Sequence, residues 1–165
     1  MTDQSPAIVD NTYVSPRACG PCTFCCEVLH GAPPPKPADF QCIWTFAAPL
    51  DESWRPDRCR FVLRSGPAEE LVIDVDPAAP GAWKREPFYG QIKAWSTRVA
   101  LPIRPVLVRS AGHVYVVFPE GEVDLGPEQG RTPIQSGYVF RDGRNQPYAH
   151  YGTNPDPPPA PARAR

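Results

Sequence analysis

Charge of one sign is missing from this sequence: 17 lysines and arginines stand against 18 aspartates and glutamates, a formal net charge of -1. A nucleic-acid binder ordinarily carries a basic stripe or face, so this balance argues against phosphate backbones and anionic lipid as partners. Long apolar runs are missing too, and none approaches the roughly 18 residues that a membrane-spanning helix requires. The opening segment "MTDQSPAIVDNTYV" lacks the basic stretch followed by an apolar one that marks a secretory leader. The expectation is a cytoplasmic protein with neither nucleic acid nor membrane as partner. Also absent are a Gly-rich phosphate loop, a Ser/His/Asp order suited to a triad and a paired-carboxylate motif, which sets an enzyme behind other readings. Histidine is scarce: His30 lies in a Gly/Pro loop, His113 and His150 have no partner at ligand spacing, and all three stay outside the candidate site.

Proline is what the chain has in excess. Its 24 prolines in 165 residues are about three times the usual share of roughly 5%, so much of the chain must be loop, extended segment or tail. Length alone fits one domain. The pattern divides it into a flexible arm over 1–16, a cysteine-cluster and proline-rich segment over 17–60, a ββαββ body over 61–125, a strap or hairpin over 126–152, and a disordered tail over 153–165.

Within the body, "FVLRS" and "ELVIDVD" read as two strands joined by the turn "GPAEE". Leu71, Ile73 and Val75 would face the core, with Val72, Asp74 and Asp76 on the other, solvated side. Phe88, Ile92 and Trp95 recur at i, i+4 and i+7, one face of a helix of about three turns starting near Glu86, and Val99 would extend the row. "PVLVRS" and "HVYVVF" form a second strand pair around Gly112, and "GEVDLG" continues the ladder. The fold class predicted is α+β, with an antiparallel sheet.

Cysteine is rare but concentrated. Four of the six, Cys19, Cys22, Cys25 and Cys26, fall within eight residues in "RACGPCTFCCEVLHG". In Cys19-Gly-Pro-Cys22, two intervening residues turn the chain so that both sulfurs can point at one ion about 2.3 Å away. Cys22-Thr-Phe-Cys25 repeats the spacing, and Cys26 adds a vicinal thiol. Four soft ligands at almost no loop-closure cost suit zinc or iron, an iron–sulfur cluster included. Adjacent residues do not aim at one point, so Cys25 and Cys26 would not serve one mononuclear ion alike. A thioredoxin-type redox pair would need a helix N-terminus after a strand, and the flanks supply neither. Cys42 and Cys59 could each complete a site from beyond the proline run Pro33 to Pro37; alternatively, Cys42 in "FQCIWTF" is a small buried hydrophobe among aromatics.

Cys19 to Leu29, "CGPCTFCCEVL", resembles the opening motif of the bacterial zinc- or iron-chelating domain family, the YkgJ-like cysteine-cluster proteins. Two placements of the rest follow. "RPDRCR" can stand for the family's Arg-Pro-x-x-Cys-Arg block, which makes Cys59 a ligand; "FQCIW" can stand for the Phe-x-Cys-x-Trp of one subgroup, which makes Cys42 the ligand and Cys59 an extra. The second is preferred, because "WRPDRCRFVL" and "VDPAAPGAWKREPFYGQIKAW" look like that subgroup's downstream body. The family's middle cysteines are replaced by "HGAPPPKPAD". The resemblance then implies a metal site on Cys19, Cys22, Cys25, Cys26 and Cys42, five thiols where a closed tetrahedral zinc site needs four.

Three functions compete. The first is a small metal-binding protein with the ββαββ body as scaffold. In the second, the cluster is degenerate and metal-free, and exposed aromatics, with Trp83, Phe88, Tyr89 and Trp95 as candidates, capture a protein partner. In the third, bound iron performs redox chemistry.

Overall fold

The computed structural model describes residues 24–25, 42–45, 47, 49–66, 70–96, 105–130 and 132–153. The arm over 1–16, Val99 and residues 154–165 of the tail lie outside the described residues.

Among the described residues, seven strands, two α-helices and three 3-10 turns make an α+β fold. Strands β1 (Phe61–Ser65), β2 (Leu71–Val75), β3 (Val106–Ser110), β4 (His113–Phe118) and β5 (Gly121–Pro127) form one sheet in the order β1-β2-β3-β4-β5. Strands β6 (Ile134–Arg141) and β7 (Arg144–Tyr151) form a separate two-stranded antiparallel sheet, so a hairpin stands where the sequence pattern allows a strap or a hairpin. A four-residue helix α1 (Pro56–Cys59) precedes β1, and α2 (Phe88–Ser96) lies between β2 and β3.

The large sheet is mixed, which corrects the expected antiparallel one. β1–β2, β3–β4 and β4–β5 are antiparallel, but β2 and β3 run parallel, with Leu71 opposite Val106 and Ile73 opposite Val108. The cause is the intervening helix: a crossover carries the chain back to the starting end of β2, whereas an antiparallel neighbour would need only a tight turn. Among the described residues the helix runs over Phe88–Ser96, beginning after Pro87 as the sequence pattern places it. It buries Phe88, Ile92 and Trp95, as their spacing predicts.

Both faces of the sheet are buried. On the first, Phe61, Leu63, Ile73, Val75, Val106, Val108 and Val117 pack under α2 and the indoles of Trp54 and Trp83. Trp54 makes edge contacts with Phe61 and Phe88 at centroid distances of 5.9 and 4.8 Å, and a tilted contact with Trp95 at 5.1 Å. On the second, Val72, Leu107, Val116 and Phe118 meet Ala149 and Ile134 of the hairpin. The side of β2 read as solvated is therefore a second core. Asp74 on that side is held by Arg64 at 2.5 Å, with Arg109 beyond at 3.9 Å. Asp76, just past the strand, is only 3% exposed and pairs with Arg60.

The turns follow residue chemistry. Ala111 (φ 52) and Gly112 (φ 79) connect β3 to β4, and Asp142 (φ 51) and Gly143 (φ 77) connect β6 to β7. Two successive positive φ values are what a tight hairpin turn demands, because that twist matches the strands.

Candidate metal site

The chain around Cys42 is shaped by short turns. The Cys42 carbonyl accepts from the Thr45 amide at 3.0 Å and the Thr45 hydroxyl at 2.7 Å, starting a 3-10 turn over Ile43–Thr45. The Trp44 indole donates to the Asp51 carbonyl at 3.0 Å, folding this turn against the next one, Glu52–Trp54, which Asp51 caps. Arg55 then leads into α1 with Pro56 in the first turn, where a missing amide hydrogen costs nothing. Salt bridges from Arg55 to Glu52 and Asp57 brace this start. The Arg55 hydrogen bond holds the Asp57 carboxyl below its ordinary range.

Helix α1 ends at Cys59, and the turn into β1 is made by Arg60 in the left-handed region at φ 67. Cys59 is fully buried, with its thiol donating to the Phe61 carbonyl at 3.1 Å and lying 3.5 Å from the Trp54 carbonyl. Burial pushes this thiol up from 9.0 to about 12; the Phe61 hydrogen bond opposes the rise and the neighbouring Cys42 thiol adds to it. A thiol so placed is inert toward electrophiles. The carbonyl of Cys59 accepts from Arg85 at 3.3 Å.

Of the five cysteines that the resemblance implies, Cys25 and Cys42 are described, and Cys19, Cys22 and Cys26 lie outside the described residues. Cys25 is 8% exposed and Cys42 is 2% exposed. Although 17 positions apart, both belong to one buried apolar cluster, together with Cys59, Trp44 and Trp54. Soft sulfur donors in a water-poor surrounding suit zinc or iron. Among the described residues no group of three or more His, Cys, Asp or Glu side chains converges as a complete centre would require. Cys25 and Cys42 are thus candidates for part of a donor set whose remainder would come from Cys19, Cys22 and Cys26.

Two histidines are engaged elsewhere: His113 Nδ1 lies 3.0 Å from Asp124, and His150 Nδ1 lies 3.2 Å from the Tyr151 carbonyl. The aromatics proposed for partner capture are mostly core. Trp83, Phe88 and Trp95 are 1%, 8% and 6% exposed; the spacing of Phe88 and Trp95 on α2 is that of a buried face, and Trp83 is buried in the 3-10 turn Ala82–Lys84. Tyr138 and Phe140 on β6 are the large hydrophobics exposed among the described residues. Their alternation on a strand that covers a sheet only in part gave no separate signal.

Two further residues were not singled out from the sequence. Phe24, inside the cysteine motif, is 4% exposed, and the Arg60 guanidinium lies over its ring at 5.5 Å. Phe24 could have been noticed as the sole aromatic between Cys19 and Cys26; the role of Arg60 had no such signal.

No family model, curated protein or solved structure matches this chain.

Proposed function

We propose that this chain is a small metal-binding cysteine-cluster protein that holds zinc or iron on thiolates drawn from Cys19, Cys22, Cys25, Cys26 and Cys42, with the β1–β5 sheet and α2 as scaffold and a reducing cytoplasm as its setting. The observation that carries the reading is the joint burial of Cys25 and Cys42 in one apolar cluster, added to the Cys-x-x-Cys-x-x-Cys-Cys spacing. That spacing is what the likeness to YkgJ-like proteins rests on. The metal would neutralise the thiolate charge, and the protein would supply the apolar shell. No helix among the described residues is long and apolar enough to cross a membrane.

Elemental analysis of anaerobically purified protein tests this. About one metal per chain, lost when Cys19 and Cys22 are both changed to Ser, is the expected result; metal-free protein with every thiol titratable overturns it. A second reading, a protein-interaction module with a metal-free cluster, draws support from Phe140, which is 71% exposed beside Tyr138 at 41%. It expects that serine at all four clustered cysteines leaves fold and partner capture unchanged.

A further inference from the structure

We propose that Arg60 is a positioning residue for Cys25, tying it to the end of β2 through the ring of Phe24; as a statement about metal binding this rests on the reading above.

The clamp is built from the sheet outward. Asp76 follows the end of β2, and its Oδ1 accepts from the Ala78 amide at 2.8 Å, which holds the carboxylate in place. Its Oδ2 pairs with the Arg60 guanidinium, and the Asp76 side chain is only 4% exposed. The main chains are joined as well, since the Asp76 amide donates to the Arg60 carbonyl at 2.9 Å. Arg60 is therefore joined to the end of β2 through its main chain and its side chain. A guanidinium engaged by a carboxylate still has a flat face available for an aromatic ring, and here that face meets Phe24, with Cζ 5.5 Å from the ring centroid.

Phe24 sits between Thr23 and Cys25 in the cysteine motif. Consecutive α-carbons are about 3.8 Å apart, so holding the Phe24 ring in place restricts how far the backbone at Cys25 can move. The Arg60 side chain is 42% exposed and Phe24 is 4% exposed, so the guanidinium keeps contact with water while the ring does not. The series Asp76, Arg60, Phe24, Cys25 thus transmits the position of a rigid strand end to a thiol of the candidate site. Lysine could replace the charge of Arg60 but not the planar group that serves carboxylate and ring together.

The test uses full-length wild type, R60M, R60K, F24L and the R60M/F24L double variant. Zinc affinity is read by competition with a chromophoric chelator, and iodoacetamide alkylation of Cys25 in the metal-free protein is followed by mass spectrometry. R60M is expected to weaken zinc binding and to speed Cys25 alkylation, each about fivefold. F24L should do the same, the double variant should be no worse than either single one, and R60K should recover only part of the loss. Cys25 alkylation at the wild-type rate in R60M overturns the clamp, as do single effects that multiply in the double variant. If R60M does not fold, R60K carries the test, and wild-type behaviour in it overturns the clamp. A wild type that takes up no zinc, yet whose Cys25 alkylation responds to R60M and R60K, overturns the metal-binding reading while supporting the clamp.

Discussion

The hydroxyl of Tyr89 on α2 donates to the carboxylate of Glu122 on β5 at 2.5 Å, and Lys84 reaches the other oxygen of the same carboxylate. The pair ties the helix to the far edge of the sheet. Lys84 also lies over the rings of Trp83 and Tyr115, at 5.0 and 5.5 Å. Partial burial pushes the Glu122 carboxyl upward, but the hydrogen bonds from Lys84 and Tyr89 outweigh it and hold the group below its ordinary range. Replacing Tyr89 by Phe keeps the ring and removes the bond. The expected loss is about 1 kcal/mol, read as a lower urea midpoint at unchanged slope.

The same contact makes stability depend on alkaline pH. Burial and the Glu122 hydrogen bond raise Tyr89 from 10.0 to about 12, and burial with the Glu120 hydrogen bond does the same for Tyr138. A phenol with a raised folded value contributes stability that is fully present below pH 10 and is lost as pH rises through about 12, because the unfolded chain releases its proton first. Denaturation midpoints should fall across this window, and the fall should be smaller in Tyr89→Phe. An equal fall in both proteins would contradict the assignment.

Cys59 should resist iodoacetamide in the native protein at pH 8 and react only after unfolding, since its thiol is fully buried and raised to about 12. Peptide mapping after timed alkylation checks this. Modification of Cys59 as fast as in the denatured chain would show that the helix α1 region opens freely.

Trp54→Ala should cost about 4 kcal/mol. The indole touches Phe61, Phe88 and Trp95 and so joins the Glu52–Trp54 turn to β1 and α2; the cavity left would border all three. A calorimetric loss under about 1 kcal/mol would mean that the core collapses around the gap.

Ala111 holds φ 52 in the β3–β4 turn, a conformation that costs a residue with a β-carbon about 1 kcal/mol. Asn tolerates it better, so Ala111→Asn should raise stability by about 0.5 kcal/mol. Thermal melting is the measurement, and a lower midpoint would count against the argument.

Legibility differed by residue. The α2 face of Phe88, Ile92 and Trp95 could be read from spacing, because one helix carries all three and packs one side inward. The β3–β4 hairpin turn could be read from Gly112, since so few residues accept its angles. The buried role of Val72 could not, because the alternation in β2 looks the same whether a hairpin or water covers its second face. Asp76 was misread for the same reason: its burial depends on Arg60, which a linear pattern does not place beside it.

By itself the sequence determined the element types, the proline-rich character and the concentration of thiols in "CGPCTFCC", all of which depend on near neighbours in the chain. Only the tertiary structure decided that β2 and β3 run parallel, that a hairpin makes a second core, that Cys25 and Cys42 share a buried cluster, and that Arg60 covers Phe24. Each of these is a meeting of residues far apart in sequence. Packing selects such meetings for the whole molecule at once, so no local pattern encodes them.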